Sequence, residues 1–288
     1  MFECKRNRSK FWLRIHENDD HINISASRTA QALIQRVFPH FEMDSPRGWC
    51  QSRNYPDMYN LKLPDDCFSW QDLDDLKLWA KEANKLIWLN TNKHTEPYFI
   101  GSELDFAVAF DWNFDFSSNE RTPVGYAEYL LKYRAKYLSE DRRREQVGKM
   151  ARAVQRCVAA LPIDVNEYVV TTIPATAEDQ MKLSWKLARF IARSNGMPFV
   201  GVTLSRAKPQ MKTLPLPEKI RTWREIYADN DWVIVPSEIC GKNVLIVDDL
   251  FQSGASILCF AEFLKNSLGV QEVMAVTSVK AQKDGDNT

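Results

Sequence analysis

Val244-Leu245-Ile246-Val247-Asp248-Asp249-Leu250-Phe251-Gln252-Ser253-Gly254-Ala255-Ser256 is the stretch on which the reading of the fold turns. Its first four residues form an unbroken apolar run of the kind found in the middle of a parallel sheet, buried on both faces. Two carboxylates follow, then small polar residues, then an apolar helical segment to about Leu268. Strand, loop and helix in that order put the loop beyond the carboxyl end of a central strand, where open parallel sheets bind ligands. Adjacent carboxylates at the end of a buried strand are costly unless solvated or partnered, because desolvation disfavours their charged form. Asp248 and Asp249 can accept hydrogen bonds from vicinal sugar hydroxyls, or lie near a magnesium ion that prefers oxygen ligands. The backbone N–H groups from Gln252 to Ser256 can close around a phosphate at the N-terminus of the next helix, where the macrodipole favours an anion. A diol and a phosphate on one ligand suggest a ribose 5-phosphate.

Upstream of this stretch, helices and strands alternate from Pro123 onward, the pattern of a parallel α/β sheet with helices on its faces. Pro123 suits the first turn of a helix running to about Tyr137, and a second helix covers about Arg142 to Ala160. Val169, Val170, Thr171, Thr172 and Ile173 mark a strand. A helix from about Glu178 to Ser194 carries Leu183, Leu187 and Ile191 on one face and stops at Asn195-Gly196. Pro198 to Leu204 and Val273 to Val279 complete the strands. Ser205 to Ile239 reads as a long polar loop with prolines, and loops of that length usually carry function.

The first 115 or so residues have a different texture, with most of the tryptophans and clustered acids such as Asp72, Asp74 and Asp75. Two helices are expected there, from Ser27 to Val37 and from Trp70 to Ala83, followed by strands at Leu86 to Leu89 and Leu104 to Phe110. The division is thus an accessory α+β region, 1–115, that serves as a hood or an interaction surface for protein partners, and a site-bearing domain, 116–288. No repeat or low-complexity tract appears. Lys and Arg number 14 against 18 Asp and Glu up to residue 115, leaving 24 against 20 in the remainder, so the neutral total of 38 against 38 reads as a cancellation.

That neutral total argues against a protein that coats nucleic acid non-specifically, which needs an uncompensated cationic excess. No window approaches the roughly 20 apolar residues of a membrane span. With no signal-like start the chain reads as cytoplasmic, without a membrane partner. Six cysteines without any C-x-x-C pair describe neither a zinc knuckle nor a redox motif, and no resident metal site is expected. His16 and His21 beside Glu17, Asp19 and Asp20 have the composition of metal ligands but not the spacing, and read as a solvated turn. The basic start, Lys5, Arg6, Arg8, Lys10 and Arg14, can touch phosphate backbones but is more simply solvated. Trp79, Trp88 and Trp112 can stack a base, with core packing the default.

The thirteen-residue stretch resembles the phosphoribosyl pyrophosphate motif of the type I phosphoribosyltransferases, and the resemblance is to ComF-like members in particular. Tyr129-Leu130-Leu131-Lys132-Tyr133-Arg134 is similar to their helix ahead of the core, Thr172-Ile173-Pro174 to their first core strand and its exit, and Leu204-Ser205-Arg206 with Gln210 to their mobile loop. The resemblance spans roughly 123–279. It implies a parallel sheet flanked by helices with an N-terminal α+β addition. It implies further that Asp248 and Asp249 bind the ribose hydroxyls and that Gln252, Ser253, Gly254, Ala255 and Ser256 hold the 5-phosphate. Ala175, Thr176 and Ala177 would occupy the pyrophosphate position, and Arg206, Lys208 and Lys212 would close over the leaving group as catalytic cations. Magnesium would arrive with the diphosphate. The family's Arg-Gly-Phe-Asn stretch is replaced here by Asp179-Gln180-Met181-Lys182-Leu183-Ser184, its N-terminal zinc-binding cysteines by a different region, and its motif threonines by Ser253 and Ser256.

The expected function is transfer of ribose 5-phosphate between phosphoribosyl pyrophosphate and a nitrogenous base. The competing expectation is a catalytically degenerate module that binds a nucleotide or nucleic acid in DNA uptake, processing or phage defence.

Overall fold

A computed structural model describes residues 1–89, 96–99, 103–176, 178, 182–211 and 214–282. The chain divides into two compact units, Met1–Trp88 and Leu89–Thr288, where the change in composition had pointed to residue 115.

The first unit opens with strands β1 (Phe2–Lys5), β2 (Trp12–Glu17) and β3 (His21–Ser27). Helices α1 (Arg28–Val37) and α2 (Pro39–Met43), strands β4 (Cys50–Gln51) and β5 (Met58–Pro64), and helix α3 (Trp70–Ala83) follow. The strands form one sheet in the order β1-β2-β3-β5-β4, every described neighbour antiparallel. Alternate residues make its core: Leu13 and Ile15, then Ile22, Ile24 and Ala26, then Leu61 and Leu63 are buried, while Arg14, Asn60 and Lys62 line the other face. That period of two is how a sheet buries one side and solvates the other. Ser27 caps α1 by accepting from the Ala30 N–H, and Ser69 caps α3 by accepting from the Asp72 N–H. Trp88 is fully buried and Trp79 packs on Phe11 and Phe38, so these indoles serve as core.

Strand β6 (Ile87–Leu89) crosses the boundary in sequence. The second unit continues with β7 (Phe106–Trp112), α4 (Pro123–Tyr133), α5 (Glu140–Ala160), β8 (Tyr168–Thr171), α6 (Leu183–Asn195) and β9 (Thr203–Leu204). It ends with α7 (Leu216–Ala228), β10 (Val233–Ile234), β11 (Asn243–Phe251), α8 (Ala255–Leu268) and β12 (Val273–Lys280). Strands β7, β12, β11 and β8 lie side by side in that order with parallel pairing, and β9 pairs with β10 in a small antiparallel ribbon. Every residue of β8 and β12 is buried, as expected of strands covered on both faces. Helix α5 lies against β7 and β12, α6 against β8 and β11, and α7 packs on α8.

The fold class read from the sequence needs correction. A parallel sheet flanked by helices, of the phosphoribosyltransferase type with an N-terminal α+β addition, is not what the chain builds. Among the described strand pairs five are antiparallel and three parallel, and a five-stranded antiparallel sheet fills residues 2–64, a stretch of the expected α+β region for which only a helix and turns were anticipated. The β1–β2, β2–β3 and β4–β5 connections are short, and short connections favour antiparallel neighbours because a parallel return needs a long crossover. Two elements also break the long loop expected from 205 to 239: α7, whose Pro215 and Pro217 fall at its start where proline is tolerated, and β10. Among the described residues no helix is long and apolar enough to cross a membrane.

Candidate functional site

The carboxyl ends of β8 and β11, the end of α4 and the starts of α6 and α8 surround a pocket of about 870 Å³. Strand β11 does not stop before its acids. It pairs with β8 only as far as Ile246, then continues along β12 through Asp248, Leu250 and Phe251. The acidic pair therefore sits where one neighbouring strand has ended and the other persists, and this opens the space that both residues line. Phe251 turns back into the core, and Gly254 adopts φ 81°, a conformation that a side chain resists. A Cβ at Gly254 would meet the Phe251 ring at 2.5 Å, so the turn needs glycine for space as well.

This turn aims the start of α8 at the pocket. The first helical hydrogen bond runs from the Leu258 N–H to the Gly254 carbonyl at 2.9 Å, so the amides of Ser256 and Ile257 precede the ladder, and both residues line the cavity. Ser256 Oγ accepts from Trp223 Nε1 at 3.0 Å, which leaves its own hydrogen to donate. Beneath the loop, buried Lys280 donates through Nζ to the Gln252 carbonyl at 2.9 Å and anchors its first residue.

Lys132, Lys136, Arg143, Lys182, Lys186, Lys208 and Lys219 line the cavity, seven cations against the two carboxylates Asp248 and Asp249. A concave surface of one charge sign focuses the field and draws a polyanion. Trp185 also lines it, and its buried indole N–H has no hydrogen-bond partner among the described residues. Lys132 reaches from α4 to place Nζ 3.0 Å from Asp249 Oδ1 and 3.1 Å from Glu128 Oε1. Burial works against its charge, but Asp249, Glu128 and Asp248 outweigh that and hold its pKa above the usual lysine value. Asp248 is pushed up to about 7, first by burial and then by the adjacent Asp249 charge, against the pull of Lys132 and of the Asp249 N–H that donates to Asp248 Oδ1 at 2.8 Å. Asp249 is thus ion-paired with Lys132, while its neighbour Asp248 is held above the ordinary aspartate range.

The site residues expected from the sequence do not all converge. Asp248, Asp249 and the run from Gln252 to Ser256 line one pocket together with Ala175 and Lys208. Thr176 lies on a smaller adjoining cavity of about 500 Å³, which shares Ala175, Lys182, Lys208 and Met211 with the first. The Ala175 carbonyl accepts from the Leu204 N–H at 3.0 Å, fixing that loop on β9. Lys208 places its ammonium 4.5 Å from the Trp223 ring centroid. Arg206, expected to close over the pyrophosphate, lines neither cavity: its guanidinium pairs with Asp229 Oδ2 at 2.6 Å and stacks 4.1 Å over Trp232. A half-exposed ion pair and an aromatic face place it on the β10 side. Ala177 and Lys212 lie outside the described residues.

Lys132, Lys136, Arg143, Lys182, Lys186 and Lys219 are the cavity cations not expected as site residues from the sequence. The available signal was weak: a Glu128–Lys132 pair four residues apart looks like any surface helix pair until Asp249 comes beside it. Among the described residues no group of three or more His, Cys, Asp or Glu is arranged to hold a metal. With Lys132 already on Asp249, the donor set does not fit a resident magnesium ion. No family model matches the chain, and no curated protein matches it.

Proposed function

We propose that this pocket binds phosphoribosyl pyrophosphate and that the protein transfers ribose 5-phosphate to or from a nitrogenous base. The observation that carries this reading is the joining, in one cation-lined pocket, of an acidic pair suited to a diol with a helix N-terminus suited to a phosphate. A ligand that satisfies both carries hydroxyls and more than one anionic group. The likeness of residues 244–256 to the phosphoribosyl pyrophosphate motif supports the same choice.

In the forward direction the bond from sugar C1 to the pyrophosphate oxygen breaks, the bond from C1 to the acceptor nitrogen forms, and that nitrogen gives up its proton to water or to the released pyrophosphate. The residues present have little covalent work to do. Asp248 and Asp249 orient the sugar, the α8 amides and Ser256 hold the 5-phosphate, and Lys182 and Lys208, shared by the two cavities, face the charge that gathers on the departing pyrophosphate. Any magnesium enters on the diphosphate as part of the substrate. A cytoplasmic location belongs to the same reading, in keeping with six cysteines that form no disulfide.

The second reading, a module that binds a nucleotide or nucleic acid without turnover, has one specific observation in its favour: Arg206 is committed to Asp229 and Trp232, away from both cavities. Titration calorimetry with phosphoribosyl pyrophosphate and magnesium tests the first claim. The wild type should release heat, and Asp248→Asn/Asp249→Asn should bind at least about tenfold more weakly. No heat from the wild type removes the ligand assignment. Heat without pyrophosphate release in the presence of purine and pyrimidine bases selects the module.

A further inference from the structure

Lys132 is placed unlike an ordinary helix lysine. Its ammonium sits about equally far from two carboxylates, Glu128 on its own helix and Asp249 on β11, 117 residues away in sequence. Both carboxylate side chains are nearly closed to solvent, at 5% and 13% exposure, so neither can rely on water for its charge. A surface pair four residues apart would need no second, buried acid from another element. The ammonium thus occupies the space between two hard oxygen donors, and a divalent ion brought beside Asp249 there would be repelled.

We infer that Lys132 is the built-in counter-ion of the acidic pair, taking the place of a divalent metal beside the sugar hydroxyls, so that the pocket grips phosphorylated ribose with no metal on Asp248 or Asp249. The inference rests on the phosphoribosyl reading of the pocket and adds a positioning residue to it. The lysine orients Asp249 through its 3.0 Å contact to Oδ1, while each carboxylate, with two oxygens, keeps acceptor sites for a hydroxyl.

The test compares wild type, Lys132→Met and Lys132→Arg in calorimetry with phosphoribosyl pyrophosphate, once with magnesium and once with EDTA. Binding of Mn²⁺ alone is followed by its paramagnetic resonance. The wild type should bind the sugar diphosphate in EDTA within about threefold of its affinity in magnesium, and should take up no Mn²⁺ that Asp249→Asn abolishes. Lys132→Met should lose at least about tenfold in EDTA, and Lys132→Arg should keep most of the binding. Added metal should restore the methionine variant by entering the vacated space, a rescue that a merely structural role of the lysine would not show.

Wild-type binding that appears only with magnesium overturns the inference and leaves the pocket assignment standing. Equal affinity of Lys132→Met and wild type in EDTA also overturns it. Wild-type silence toward the ligand in both media ends the pocket assignment and the inference together. Should Lys132→Met fail to fold, the wild-type comparison between EDTA and magnesium and the Mn²⁺ measurement still decide.

Discussion

Asp248 carries a stability cost that depends on pH. Its pKa in the folded protein, pushed up to about 7, lies above the 3.8 of a solvated aspartate, so its contribution to stability is complete below about pH 4 and is lost as pH rises through about 7. Asparagine at this position is neutral throughout. The stability of Asp248→Asn minus that of wild type, from urea unfolding, should therefore grow between pH 4 and pH 8 by up to about 4 kcal/mol, since each pH unit between the two values is worth about 1.4 kcal/mol. A difference that stays flat over that range would show that the carboxyl is not held neutral. The same variant should bind sugar diphosphate more weakly, a gain in stability at the expense of function. At this scale the contiguous part of the site was readable: Asp248, Asp249 and the loop to Ser256 are neighbours in the chain as well as in the pocket. Arg206 was not readable, because only the folded chain decides whether a guanidinium reaches a ligand or Asp229.

Helix α4 brings Lys132 to the pocket, and Gly125 lets the first turn of α4 lie against the Asn113 backbone. A Cβ at Gly125 would lie 2.2 Å from the Asn113 carbonyl oxygen, a backbone atom after β7 that cannot swing aside. Gly125→Ala should therefore cost about 3 kcal/mol in urea unfolding and weaken sugar diphosphate binding by displacing Lys132, whereas overpacking elsewhere costs stability alone. Normal affinity in a destabilised Gly125→Ala protein would separate the helix start from the site. Other elements were legible from local pattern. Helices α1 and α3 follow their serine caps, and the apolar core of β11 lies where its unbroken run predicted. Strands β2, β3 and β5 also carried their signal, the alternation of Leu13 with Ile15, of Ile22 with Ile24 and of Leu61 with Leu63. It was obscured by the turn-forming residues around it. Helix α7 shows Ile220, Trp223, Ile226 and Tyr227 at helical spacing and buried, behind prolines that look like loop until they are recognised as a helix start.

For the whole molecule, the division at Trp88 changes the meaning of its charge. Residues 1–88 hold 13 basic and 13 acidic side chains, leaving 38 − 13 = 25 of each in residues 89–288. The imbalance seen with a boundary at 115 disappears, and the positive field belongs to the pocket instead of to a domain. Every residue assigned to the site lies in the second unit. Hydrogen exchange with phosphoribosyl pyrophosphate at about 100 times its dissociation constant should slow opening of Gln252 to Ile257 and of the last turn of α4 by up to about 100-fold, leaving β2, β3 and β5 unchanged. Protection centred on β1 to β5 would move the site to the first unit. What the amino-acid order determined alone is local: the buried run from Val244 to Val247, the acids after it, the glycine turn and the caps, each set by side-chain chemistry within a few residues. Only the tertiary structure decided the antiparallel first sheet, the continuation of β11 past its acids, and the arrival of Lys132 beside Asp249, because strand partners and ion pairs are chosen between segments far apart in the chain.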